Sequence, residues 1–233
     1  MQPAPAATRR FNGFSPRALE LLRELALNNN HSWFAAHRPE LEQLLVRPSL
    51  ALIEDLGPLL RSRLSAGIRA EPHVGGSLLR LRKDARFVRE SPFRTHLELW
   101  FWEGRGRSSQ HPGCFLRMTP DRLVLGGGIT TFPTDMLARY RSAVDQPASG
   151  RELTALLHRL ARRGWIAESP SRHRVPRPYG TDHARSDLLR RTGLKVERPE
   201  PLPEAAFDAE LPALVASGLA QLKPLHLWLA QFG

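Results

Sequence analysis

Cysteine is almost missing from this chain: Cys114 stands alone, which excludes an internal disulfide framework and a zinc site built on paired thiolates. The expectation is a reducing compartment, the cytoplasm. Lysine is nearly as scarce, at positions 83, 195 and 223 only, so Arg makes up most of the 34 basic residues set against 23 acidic ones, a formal charge of +11. In a chain rich in Ala, Leu, Pro and Gly, such an Arg excess follows from GC-rich codons and places guanidinium groups on any solvated face. It also fits a polyanionic partner such as nucleic acid. No run approaches 18 uncharged apolar residues, so neither a membrane span nor a membrane partner is expected. Thr8-Arg9-Arg10-Phe11 looks like a twin-arginine export signal, but Ser15 to Glu24 after it form a charged amphipathic pattern where an apolar core would be required, and export is not expected.

What the chain does contain is enough to fold. Its 233 residues are 41% apolar, with five Trp and ten Phe, sufficient for one hydrophobic core. Residues 1–10 have no periodicity and read as a disordered tail, leaving 11–233 as a single α+β domain. Helical spacing begins at Ser15, an N-cap followed by Pro16, and stops at Asn28-Asn29-Asn30, where Asn suits a left-handed C-cap. Two further helices are predicted, from about Ser32 to Val46 and from about Pro48 to Ser65. The middle of the chain then changes period. Leu79 to Phe87, His96 to Trp102, Cys114 to Thr119 and Leu123 to Ile129 read as strands of a central antiparallel sheet, with Thr119-Pro120-Asp121-Arg122 as a hairpin turn. Helical spacing returns through Leu137 and Tyr140, from Arg151 to Arg162, and from about Pro203 to the end, where Pro212 and Pro224 should break or kink it. Ser169 to Asp182 reads as a surface loop. The fold class is therefore α+β, a central antiparallel sheet packed by N-terminal and C-terminal helices.

One segment gathers the chemistry. Read as a strand, Leu79 to Phe87 places Arg80, Arg82, Asp84 and Arg86 on one side and Leu79, Leu81, Ala85 and Phe87 on the other. Guanidinium groups about 7 Å apart, steadied by Asp84 through bidentate bonds, can cradle phosphate, carboxylate or a nucleic-acid backbone. Arg89 and Arg94 follow in the turn around Pro92. The next strand would set His96 and Glu98 across from this row, with Trp100 and Trp102 as core rather than as stacking platforms.

Other candidates are thinner. Gly126-Gly127-Gly128 could wrap a phosphate, but no Gly-Lys-Ser/Thr follows and a bulge or close strand approach explains it better. Cys114 alternates with Leu116 and Met118, so it points inward and is inert. His96-Leu97-Glu98 lacks the Pro-Cys-x-x-Cys partner of zinc deaminases. His31, His37, His96 and His183 have no metal-ligand spacing, and neither a metal nor another cofactor is expected. His37, one turn after Trp33, can fill a slot beside it as a supporting residue.

Three stretches resemble the bacterial and fungal domain-of-unknown-function family 2461. The first is Phe11 to Phe14 with Asn29, Asn30, Trp33, Phe34, His37 and Arg38. The second and most specific is Arg80 to Phe87 followed by Ser91-Pro92-Phe93-Arg94-Thr95. The third is Pro176 to His183 with Leu188-Leu189-Arg190. Against the family pattern Phe93 replaces Tyr, Arg94 replaces Lys and Leu41 replaces an aromatic, which removes a Tyr hydroxyl and a titrating Lys from any mechanism here. The resemblance strengthens the choice of segment and names no reaction.

Two functions follow from the residues. The first is an anion-binding domain whose Arg80, Arg82, Arg86 and Arg94, with Asp84 and His37 in support and His183 as a further contact, hold a phosphate ester or nucleic acid. The alternative is a hydrolase or transferase in which Asp84, His96 or His183 acts as acid or base and the Arg row stabilises an anion. A third, partner-binding reading would need Leu225, Trp228 and Leu229 to face outward from the last helix.

Overall fold

A computed structural model describes residues 10–84 and 91–232. Its centre is a sheet in the order β1-β2-β3-β4-β6-β5, every pairing antiparallel, built from β1 (Ile68–Arg69), β2 (Leu97–Glu103), β3 (Gly113–Met118), β4 (Arg122–Ile129), β5 (Ile166–Ala167) and β6 (Leu194–Pro201). The Thr119 amide closes the β3–β4 hairpin on the Arg122 carbonyl at 2.9 Å. Alternation along these strands separates two faces. Leu99, Phe101, Leu116, Leu125 and Val196 enter the main core under the helices, while Trp100, Trp102, Phe115 and Val124 form a smaller cluster on the other face, with Leu79 against it. The architecture is α+β, with helices from both ends of the chain packed on an antiparallel sheet.

The first helix, α1 (Pro16–Leu27), starts as predicted: the Ser15 hydroxyl accepts from the Ala18 amide, Pro16 opens the first turn, and Leu21, Leu22 and Leu25 are buried. Its C-cap differs from the expectation, since Asn28 has φ −123° and no residue other than Gly has positive φ among those described. After α2 (His31–Ala36), the chain runs without a break through α3 (Arg38–Leu41), a π-helical turn (Glu42–Val46) and α4 (Arg47–Arg63). The predicted boundary before Pro48 is therefore absorbed inside a helix. A proline there has no N–H to return to the preceding turn and its ring crowds that turn's carbonyl, and a widened π turn directly precedes it.

At the other end, α5 (Thr134–Asp145), α6 (Pro147–Ala161), α7 (Ser186–Leu189), α8 (Leu211–Ala220) and α9 (Lys223–Ala230) complete the helical layer. Pro212 and Pro224 lie in the first turns of α8 and α9, positions whose amides need no partner, so they start helices rather than kink one. Leu225, Trp228 and Leu229 are 1%, 5% and 0% exposed. This corrects the idea of an outward apolar patch there. β6 was not visible in the sequence because Pro199 and Pro201 obscure its alternation; β5 pairs only with Val196 and Glu197, so the proline end of β6 is an edge where a missing N–H is tolerated.

The glycine run lies inside β4 and serves packing. A Cβ on Gly126 would fall 2.2 Å from the Phe115 ring and 2.9 Å from the Val196 carbonyl. Cys114 is fully buried, and desolvation pushes its thiol far above the ordinary range, which leaves no thiolate to react. Gly126→Ala should destabilise the protein by about 1–3 kcal/mol through overpacking against Phe115, measured by urea denaturation; an unchanged midpoint would contradict this packing.

Candidate functional site

The break between α1 and α2 does more than end a helix. The Asn29 side chain grips the backbone of Phe93 as a neighbouring strand would: the Phe93 amide donates to Oδ1 at 2.9 Å and Nδ2 donates to the Phe93 carbonyl at 3.0 Å. Asn30 caps α2 by accepting from the Trp33 amide at 2.9 Å. The Phe93 ring is 2% exposed, lies parallel to Phe34 with centroids 3.9 Å apart, and meets His31 edge-on at 5.3 Å.

Phe93 in turn holds the Arg-bearing segment. The Arg94 amide donates to the Leu81 carbonyl at 2.7 Å and the Lys83 amide to the Pro92 carbonyl at 2.8 Å, with Arg82 bridged to Phe93. The other end is tied to the sheet, where the Leu79 amide donates to the Glu98 carbonyl at 3.0 Å. Between these ties the chain bends at Leu81. Leu79 packs on the outer aromatic cluster and Leu81 on the main core. The continuous strand predicted from Leu79 is thus not formed through Asp84: the segment is an extended arm with isolated bridges, because its two leucines bury in different places. Arg86 and Arg89 lie outside the described residues.

Arg80 and Arg82 form a wall shared by two hollows. One, of about 570 Å³, is polar and is lined by Gly75, Gly76, Lys83, Asp84, Arg94 and Ser108 beside the two arginines. The other, of about 700 Å³, lies against the N-terminal helices, with Phe34, Leu41, Val46, Leu81 and Phe93 among its walls and Arg38, Glu42 and His31 at its polar positions. Gly75, at φ +92°, lets the Arg80 guanidinium lie across it: a Cβ there would be 3.3 Å from Nε and Nη2. Arg94 is also placed, its Nη1 donating to the Arg80 carbonyl at 2.7 Å. Among the described residues, the polar hollow carries four cationic side chains, Arg80, Arg82, Lys83 and Arg94, and one carboxylate, Asp84.

The imidazoles go elsewhere. His96 lies just before β2, and its Nε2 is 3.4 Å from Glu98 Oε2, which also accepts from Arg117 Nε at 2.9 Å. Arg117 reaches Glu197 at 3.9 Å. Burial alone would raise the Glu98 pKa, but the bonds from His96 and Arg117 overcome it and hold the carboxyl at about 2. The Glu98 carboxyl is therefore ionised near neutrality. His183 is fixed by Asp145 at 3.2 Å and by the Arg185 amide at 3.0 Å, against the end of α5, and lines neither hollow. His37 stacks on Trp33 at 4.0 Å, and its Nδ1 donates to the Trp33 carbonyl at 2.9 Å. Asp84 alone of the acid–base candidates shares a hollow with the arginines. Among the described residues no three His, Cys, Asp or Glu side chains are grouped so that they could hold a metal ion, and no helix is long and apolar enough to cross a membrane.

The sequence missed Asn29, Phe34, Gly75 and Phe93 as site residues. Asn29, Phe34 and Phe93 did stand among the residues that carry the family likeness, and the structure brings those two distant stretches together in one place. Because the Glu98 carboxyl sits below its unfolded value of 4.5, its contribution, about 3 kcal/mol, is complete above that pH and is lost as pH falls towards 2. Urea denaturation between pH 6 and 2 should show this loss, and Glu98→Gln should flatten it; an equally steep variant would contradict the pairing.

No curated protein matches the chain. A family model described as "Conserved hypothetical protein (DUF2461)" matches residues 17–228. The meeting of the first two motif stretches at the Arg80–Arg82 wall therefore occurs in a member of that family: the chain belongs to DUF2461.

Proposed function

We propose that the polar hollow binds a small oxyanion, most simply the phosphate of a phosphate-bearing ligand, through Arg80, Arg82 and Arg94. The observation that carries this reading is the gathering of charge: among the described residues, four cations and one carboxylate line a single hollow. Cationic groups gathered around one hollow repel one another, and an anion with several acceptor oxygens relieves that repulsion while taking up their donors. Two further features support it. The arm that carries Arg80 and Arg82 is pinned at both ends by backbone hydrogen bonds, so little order remains to be imposed on binding. Gly75 and Gly76 bring main chain up to the same hollow, as close backbone approach to an anion requires.

The acid–base alternative is weaker. His96 and His183 are each committed to a carboxylate, and neither lines the hollow that holds Asp84. Binding is the better reading.

At low salt, inorganic phosphate should raise the melting temperature, and Arg80→Ala and Arg82→Ala should each weaken its binding by about tenfold or more, the size of one charge-assisted hydrogen bond. Arg139→Ala, at an equally accessible but paired arginine, should leave it unchanged. Binding that is absent in the parent protein, or equally reduced by all three variants, would defeat the reading.

A further inference from the structure

Resting on that reading, we infer that the ligand is a small organic acid with an aryl or short alkyl body: its oxyanion lies on the Arg80–Arg82 wall and its body fills the adjoining apolar cleft. The two hollows share Arg80 and Arg82. A single ligand can therefore place its charge on these two residues while its uncharged part continues into the larger space of about 700 Å³, a size typical of sites that enclose a whole small molecule.

The lining of the cleft selects the body. Phe34 and Phe93 present a stacked pair at 3.9 Å, and Leu41, Val46 and Leu81 add aliphatic walls. Such surfaces gain from removing apolar area from water and offer little to a ribose or a polyol, which would lose hydrogen bonds there. An aromatic ring has a stacking partner in Phe34, which backs onto the buried Phe93. The N-terminal side of the cleft is built for shape: Ala35, Arg38, Glu42 and Val46 follow one another along the helical run, and the π turn Glu42–Val46 rotates its last residues relative to a regular helix. Glu42 places a carboxylate at this wall and Arg38 a guanidinium, so the anionic end is favoured at the arginine wall and not beside Glu42. The enclosure on one side by helices also disfavours a continuous polymer, which would need an open track.

Isothermal titration with methyl phosphate, phenyl phosphate and phenylacetate separates the two claims, since methyl and phenyl phosphate share an oxyanion and differ only in body. Phenyl phosphate should bind about tenfold more tightly than methyl phosphate, as burial of part of one ring gives. Phenylacetate tests whether the wall takes a carboxylate as well as a phosphate. Ala35→Trp, at an exposed position on the cleft wall, should remove the phenyl advantage and leave methyl phosphate affinity intact. Equal binding of the two phosphates to the parent protein, or an advantage that survives Ala35→Trp, would overturn the assignment of the body while leaving the oxyanion reading standing. Binding of none of the three compounds would overturn both.

Discussion

The site depends on the fixing of Phe93 by the side chain of Asn29. An extended arm has no sheet ladder to hold it, and across the described residues 79–84 and 91–94 the main chain is tied at a few points. Phe93 is the point where these ties converge. Its backbone is bonded on one side to Asn29 and paired with Arg82 on the other, and its ring is closed in by Phe34 and His31. Buried amide groups must find partners, and here a side-chain amide does what an adjacent strand would otherwise do. The N-terminal helices thereby determine where Arg80 and Arg82 stand, although they are some fifty residues away in sequence.

Charge has meaning on this molecule by position more than by total. A formal charge of +11 would suggest a broad electropositive surface, and some guanidiniums are spent on local partners: Arg17 on Glu24 and Glu40, Arg23 on Asp121, Arg117 on Glu98 and Glu197. Exposed pairs of this kind contribute little to stability, but they cancel field locally. What sets Arg80, Arg82 and Arg94 apart is that they gather, with Lys83, around one hollow. There the neighbouring hollow is also large enough to admit a ligand. Concavity and a cluster of cations coincide there.

The parts of the fold that were legible in the sequence are those in which one local rule decides. Ser15 and Pro16 announce α1; the alternation in β2, β3 and β4 separates Leu99 and Phe101 from Trp100 and Trp102; Thr119 to Arg122 closes a hairpin. The rest needed tertiary knowledge. A π turn before Pro48 lets two predicted helices merge, and β6 tolerates two prolines only because β5 is short. At the site, the Arg80 and Arg82 pair was visible from spacing, but its reason was not: strand periodicity put Leu79 and Leu81 on one side, whereas each enters a different cluster. Asn29 could be read as a helix breaker and no more, since its partner lies 64 residues on. His96 was correctly placed beside Glu98, but the pair is bound to Arg117 and not to the Arg row.

The most direct test of this account is amide hydrogen exchange at Phe93 in the parent protein and in Asn29→Ala. The account predicts a slowly exchanging Phe93 amide in the parent and a much faster one in the variant, with the amides of β3 and β4 keeping their protection, because only the arm that bears Arg80 and Arg82 is released. An exchange rate at Phe93 that does not respond to the loss of Asn29 would contradict it.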